Sequence, residues 1–204
     1  IDAGGGHVHV LATRDIDLAF KSYFIANKAA LESGKVKKMT DLAELKGKAK
    51  DITFTFGDKN STSGHLMPRH FLTKAGIDAD QDFKTMGYAE GGHQGTLMAV
   101  ASGAADLGAL NFAYYDKASA EDKANAQVVY TTPDYVDYAW VVHDRLGAAT
   151  TDKLRDAFLH LDAGNADEKA ILDGWSAGKI LSAKNDQWNS IRQVRDSLPK
   201  GFLK

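Results

Sequence analysis

Phe56-Gly57-Asp58-Lys59-Asn60-Ser61-Thr62-Ser63-Gly64 is the stretch on which the reading of this chain turns. Just before it, Ile52 to Phe56 alternates threonine with large apolar residues, the pattern of a β-strand. Just after it, a helical stretch runs through Ala75. The segment therefore reads as a strand end, a polar turn and a helix start near Ser63. The first amides of a helix have no internal partner, and the helix dipole puts partial positive charge on them. Three consecutive hydroxyl side chains add donors at the same spot, so the stretch can cradle an anion without a lysine. In parallel sheets, ligands gather at the carboxyl ends of strands, where this turn falls. The competing reading is an ordinary N-cap, for which Ser and Thr are common. The residues alone weigh the two evenly. A nucleotide-binding phosphate loop is excluded, because the terminal Gly-Lys-Ser/Thr is absent. Pro68 removes one helical hydrogen bond just past the first turn and is expected to kink the helix.

Three further loops repeat or extend this arrangement. Gly87 to Thr96 follows a weaker strand, Phe83 to Tyr88, and sets His93 at a helix start. There the ring can donate to an anion, although a lone histidine more often caps or packs locally. A third loop, after the strand Asp106 to Leu110, supplies Asn111. The fourth is Thr132-Pro133-Asp134-Tyr135-Val136-Asp137-Tyr138. A carboxylate such as Asp137 repels an anion, but it would select a ligand that carries a proton, since it can only accept. Read from residues alone, Asp137 is a turn aspartate facing solvent.

The rest of the chain fits an α/β fold. His7 to Ala12, Tyr23 to Ala26 and Val128 to Thr131 read as strands, and Asp41 to Gly47 as a short helix closed by glycine. His93 to Ser102 reads as a helix with Leu97, Val100 and Ala101 on one face, and Phe112 to Ala118 as another. Alternating strand and helix point to a largely parallel sheet. After Pro133 the pattern changes to a strand, Tyr138 to Val142, and three helices: Thr151 to Leu161, Ala166 to Leu172 and Gln187 to Leu198. Trp188, Ile191 and Val194 form the buried stripe of the last. The break at Pro133 is the candidate lobe boundary.

With 204 residues the chain can build two small lobes, each with a core. Its 44% hydrophobic and 25% charged content is that of an ordinary globular protein. A net charge of -2 provides no broad basic field for nucleic acid. No cysteine is present, which excludes disulfides, thiolate metal sites and cysteine nucleophiles. No apolar run reaches membrane-span length, and the opening Ile1-Asp2-Ala3-Gly4-Gly5-Gly6 reads as that of a mature or trimmed chain. His7, His9, His65, His70, Asp15 and Asp17 are the material for a metal or acid-base site. His7 and His9 share one strand face, but they lack a nearby third ligand. His65 and His70 are a poor helical pair, and no Ser-His-Asp order can be assigned. An enzyme is not the expected reading.

Taken together, these segments resemble the phosphate/phosphite/phosphonate-binding proteins of ABC transporters, a branch of the type II periplasmic binding proteins. The resemblance rests on Arg14-Asp15-Ile16-Asp17 with Phe20-Lys21-Ser22, Asp41-Leu42 with Leu45-Lys46-Gly47-Lys48, and Phe54-Thr55-Phe56-Gly57. It continues through Ser61-Thr62-Ser63-Gly64-His65-Leu66-Met67-Pro68, Gly108-Ala109-Leu110-Asn111, the Thr132 to Tyr138 loop and Trp140-Val141-Val142. The serine-threonine-serine-glycine stretch is the most specific part, and Pro68 also matches the family.

The resemblance implies a two-lobed fold, each lobe a mostly parallel sheet flanked by helices, with ligand in the interlobe cleft. Lobe one would be 1–34 plus 133–204 and lobe two 35–132. Lobe one is expected to lack the longer amino-terminal segment, whose aromatic residues help close the family's pocket. Carried over by motif, Ser61, Thr62 and Ser63 would grip the oxyanion and His93 would be a further donor. Asp137 would accept from a protonated ligand, Asn111 would be a cleft residue, and Tyr135 and Tyr138 would be wall residues. No cofactor or metal is implied. The implied partners are a small oxyanion and a membrane permease, with the protein a monomer. Its place would be the periplasm, or the outer membrane face of a Gram-positive cell as an anchored lipoprotein. The alternative role for the same fold is a sensor domain feeding a two-component kinase.

Overall fold

The computed structural model describes residues 4–198, so the outer ends of the expected first lobe, 1–3 and 199–204, lie outside the described residues. The chain forms two compact units, one of residues up to Phe20 together with Asp134–Leu198, the other starting at Lys21 and ending at Pro133.

The larger unit is built on a five-stranded sheet. Its strands are β2 (Ser22–Asn27), β3 (Thr53–Phe56), β4 (Thr85–Tyr88), β5 (Leu107–Asn111) and β6 (Ala126–Thr131). They lie in the order β4-β3-β5-β2-β6. β3 runs parallel to β4 and β5, while β2 runs antiparallel to β5 and β6. Residues 21–34 were expected in lobe one. Their strand instead hydrogen-bonds on both edges within this sheet, so they fall in the larger unit.

Both faces of this sheet are covered, as parallel strands require. One face buries Phe24, Phe54, Phe56, Leu72 and Leu107, and the other buries Ile25, Leu97, Val100 and Leu110. Phe54 lies 4.6 Å from Phe56 and stacks on Phe83 at 4.7 Å, ring centre to ring centre. The helices are α1 (Lys28–Glu32), α2 (Met67–Lys74), α3 (Gly92–Ala101), α4 (Phe112–Asp116) and α5 (Ala120–Asn125). α3 lies against β5 unusually closely. A Cβ on Gly108 would come within 2.9 Å of Val100, 3.0 Å of Thr96 and 3.1 Å of Thr55. The expected helix at Asp41 to Gly47 is a single turn, Leu42–Leu45, capped by the Asp41 carboxylate.

The smaller unit holds a three-stranded sheet of β1 (Val8–Arg14), β7 (Trp140–His143) and β8 (Ile180–Ser182), in the order β7-β1-β8. The mostly parallel sheet expected here is not what forms, since β1 pairs antiparallel with both neighbours. The two outer strands do run the same way. They are joined by a helical crossover of α6 (Ala148–Leu159) and α7 (Ala166–Gly174), and β1 has inserted between them. Leu11, Ala12, Val142, Leu172, Ala177 and Ile180 form the core, with Trp140, Phe158 and Trp175 stacked beside it. The terminal helix, α8 (Asn189–Ser197), starts later than expected because Asn185–Trp188 forms a tighter turn; Trp188 and Val194 are buried as read from their spacing.

Candidate ligand-binding site

In the larger unit, β3, β4 and β5 run in one direction, so the loops that follow them emerge at one sheet edge. These loops carry Ser61–Ser63, His93 and Asn111. The structure brings them together: Ser63 Oγ is 3.5 Å from His93 Nε2, and the Asn111 amide points at His93 Nδ1, also at 3.5 Å. These contacts are long. Their direction still indicates the tautomer, because an N–H aimed at Nδ1 needs a lone pair there, leaving the proton on Nε2. Burial pushes the His93 pKa below its ordinary value, so the ring is neutral at pH 7.

The helix start itself is unusual. Ser61 is the N-cap, its Oγ accepting from the Gly64 amide at 2.9 Å. Residues Thr62–Leu66 form a wide π-helical turn that runs straight into α2. Pro68 accounts for this. It has no N–H, so the carbonyls one turn back, at Ser63 and Gly64, receive no bond from it. Both are taken up by other elements instead. Ser22 Oγ on β2 donates to the Ser63 carbonyl at 2.7 Å, and the Gly57 amide donates to the Gly64 carbonyl at 2.9 Å. The expected kink is thus a widened first turn, of the kind that recurs at functional sites, and it is bonded to the sheet. The sequence marks Ser22 as part of the family resemblance but not as an anchor, because nothing local distinguishes a strand-opening serine in that role.

Behind the loop, His65 is buried, with Nδ1 2.8 Å from the Lys59 carbonyl. Arg69 Nε donates to its Nε2 at 3.1 Å, and the Arg69 guanidinium forks onto Asp80 at 2.7 and 3.1 Å. Asn111 caps α4, its Oδ1 accepting from the Ala113 and Tyr114 amides at 2.7 and 3.2 Å. Thr62 is the first residue of the wide turn, and its carbonyl accepts from the Met67 amide.

In the smaller unit, Asp137 is 7% exposed and not the solvent-facing turn residue that its sequence context suggests. Its amide donates to the Asp17 carbonyl at 2.9 Å, and its own carbonyl accepts from Trp188 Nε1 at 2.7 Å. Tyr138 is exposed, and the Arg14 guanidinium lies 5.4 Å over its ring. Although the residue as a whole is exposed, partial desolvation of its hydroxyl raises the Tyr138 pKa, the Asp137 charge adds to the rise and the Arg14 charge opposes it. Arg14 also grips buried Asp17 through two bonds of 2.7 and 2.6 Å. Arg14, Asp17, Tyr138, Trp140 and Trp175 line a cavity of about 430 Å³ within this unit. Tyr135 is a core residue packed on Phe20, with ring centres 6.0 Å apart.

His7 and His9 both meet the exposed Asp144 carboxylate, at 3.2 and 2.6 Å, and His65 faces Arg69. Among the described residues, no three metal-ligating side chains converge on a point that could hold an ion.

The family described as ABC transporter, phosphonate, periplasmic substrate-binding protein matches residues 3–188. The chain belongs to this phosphonate-binding family. The probable phosphite-binding protein PhnD1 of Prochlorococcus marinus is 36% identical over 201 residues, which cover 94% of this chain and 65% of that protein. The phosphonates-binding periplasmic protein of Escherichia coli is 32% identical over 159 residues, covering 76% of this chain and 46% of its own length. The chain thus spans about half to two thirds of these curated relatives. Among solved structures, PhnD1 from Prochlorococcus marinus in complex with methylphosphonate superposes with a TM-score of 0.83 at 36% identity, covering 94% of this chain and 71% of that one. For a phosphonate-binding family member, sheets flanked by helices are the expected architecture, and both units have it.

Proposed function

We propose that this chain is the ligand-binding part of an extracytoplasmic solute-binding component of an ABC importer, and that it takes a small tetrahedral phosphorus oxyanion: phosphate, phosphite or a phosphonate. The observation that carries the reading is the convergence of Ser61–Ser63, neutral His93 and Asn111 at the carboxyl ends of the three parallel strands of a mixed sheet. That end presents helix-start amides, hydroxyls and an imidazole, groups that donate to an oxyanion and need no net charge to do so. The role in this reading is capture and release. The relatives, a phosphite-binding and a phosphonates-binding protein, agree with this ligand class.

In this reading Ser61, Thr62, Ser63, His93 and Asn111 grip the oxyanion. Asp137 accepts from a protonated ligand face, and Tyr135 and Tyr138 are wall residues. The protein works as a monomer outside the cytoplasm, free in the periplasm or anchored as a lipoprotein, and hands its ligand to a membrane permease. Ligand shifts the protein toward the form it binds more tightly, and the permease reads that form.

Calorimetric titration of the full-length protein against phosphate, phosphite, methylphosphonate, aminoethylphosphonate and sulfate tests the proposal. Tight binding of one phosphorus ligand, with sulfate at least about a hundredfold weaker, is expected. Absence of binding to all four phosphorus ligands overturns it.

A further inference from the structure

We infer that His65 is a positioning residue for the oxyanion loop, holding the Lys59 carbonyl in place from behind without itself touching ligand. The inference rests on the proposed function, and it begins from an asymmetry in how the loop is held. The limb at Ser63 and Gly64 is tied down by Ser22 Oγ and the Gly57 amide. The limb at Asp58 to Asn60 has its own short turn, the Asn60 amide donating to Asp58 at 2.8 Å. Its Lys59 carbonyl is held by His65 Nδ1 at 2.8 Å, beside the Ser61 amide on the Asp58 carbonyl and the Lys59 ammonium over Tyr88.

That contact dictates the state of the ring. A carbonyl only accepts, so Nδ1 carries the proton. Arg69 Nε–H donates to Nε2 at 3.1 Å, and the Tyr88 hydroxyl is 3.2 Å from the same nitrogen. Nε2 must therefore offer a lone pair, and the ring is neutral. A second proton would meet the Arg69 N–H head-on.

The ring is clamped on its faces too. Phe56 and Tyr88 stand edge-on to it at 4.9 and 5.0 Å. The charged groups around it are Lys59, whose ammonium lies 4.9 Å over Tyr88, and Arg69, which is paired with Asp80. Burial pushes the imidazole pKa below its ordinary value, with the Arg69 and Lys59 charges adding to the fall and the Lys59 hydrogen bond and Asp80 opposing it. His65 thus holds α2, β4 and the loop in one arrangement at neutral pH.

Three full-length proteins, wild type, His65→Leu and His65→Gln, are titrated with methylphosphonate at pH 7.5 and 5.5, and the wild-type imidazole nitrogens are read by ¹⁵N NMR at pH 7.5. Losing one hydrogen bond that fixes the loop is expected to weaken binding by His65→Leu about tenfold. His65→Gln can donate from one amide end and accept at the other, so it is expected to stay within about threefold of wild type. Titration of His93 and of the ligand is common to all three proteins. Recovery of binding by His65→Gln but not by His65→Leu at both pH values is a result that a merely space-filling role would not produce. The nitrogen shifts should mark a neutral ring protonated at Nδ1. Wild-type affinity in a folded His65→Leu protein overturns the inference, as does a charged or Nε2-protonated ring at pH 7.5. If the wild type binds none of the phosphorus ligands, it is the functional proposal that falls, and the nitrogen shifts still decide the state of His65.

Discussion

Replacing Gly64 with alanine separates the ligand grip from the fold. Gly64 lies within the wide helical turn, and its backbone φ is not in the left-handed region, so a side chain adds no backbone strain. A Cβ there would sit 3.0 Å from Ser61 Oγ, 3.2 Å from His93 Cε1 and 3.3 Å from Ser61 Cβ. These atoms must give by a few tenths of an ångström, and all three belong to Ser61 and His93, residues of the proposed grip. Alanine is better than glycine inside a helix by about 1 kcal/mol, while overpacking costs about 1–3 kcal/mol. The net loss is about 0–2 kcal/mol, so Tm should fall by no more than about 8 °C in a chain of this size. Binding has no such compensation. One displaced hydrogen bond to a charged ligand is worth about 1.5–3 kcal/mol, or about tenfold to a hundredfold in Kd. Calorimetry with methylphosphonate, paired with a thermal melt, gives both numbers. Wild-type affinity together with a wild-type melt would refute the placement of ligand against Ser61 and His93.

The double variant Ser61→Ala/Ser63→Ala should lose binding beyond the measurable range while losing only about 1 kcal/mol of stability, the worth of the Ser61 cap; denaturant melts and calorimetry check the two halves. Asp137→Asn should narrow the preference for protonated phosphorus ligands over sulfate, measured as a ratio of Kd values, and an unmoved ratio places Asp137 away from the ligand. The pKa values of His65, His70 and His93 are all lowered, burial being the first cause in each case. The folded state therefore binds fewer protons than the unfolded one below the ordinary histidine value. Their contribution is complete above about pH 6.5 and lost as pH falls through the lowered values, so Tm should be lower at pH 5 than at pH 7.5. A Tm that rises on acidification contradicts this.

Much of the larger unit was legible because its signals are local. The Thr/Phe alternation of Ile52 to Phe56 marked β3, and Gly103 closed the helix that follows His93 where the spacing of Leu97 and Val100 placed it. The convergence of Ser63, His93 and Asn111 followed from one topological rule about strand ends. What stayed hidden is non-local. Ser22 anchors a carbonyl 41 residues away in the chain. Within residues 21–34, β2 belongs to a sheet whose neighbouring strands, β5 and β6, come far later in the chain. β8 is three residues long, too short to carry a period, and the antiparallel insertion of β1 between β7 and β8 has no signature in any one segment. The burial of Asp137 was misread because a Pro-Asp-Tyr context signals a turn, whereas the Asp17 carbonyl and the Trp188 indole that fasten its backbone lie far away in sequence.

Two of the helix caps have a consequence for what the site can distinguish. A serine hydroxyl and an asparagine amide can each both give and take a hydrogen bond, and by themselves tell an anion from a cation poorly. Ser61 has its oxygen committed to the Gly64 amide, and Asn111 has its oxygen committed to Ala113 and Tyr114. What each can still offer a ligand is chiefly hydrogen: the Ser61 O–H and the Asn111 NH₂. The flip of Asn111 is set by its own helix rather than by whatever enters the site. Capping thus biases two ambivalent side chains toward donation, which at the proposed site would favour an anion over a cation before any ligand arrives.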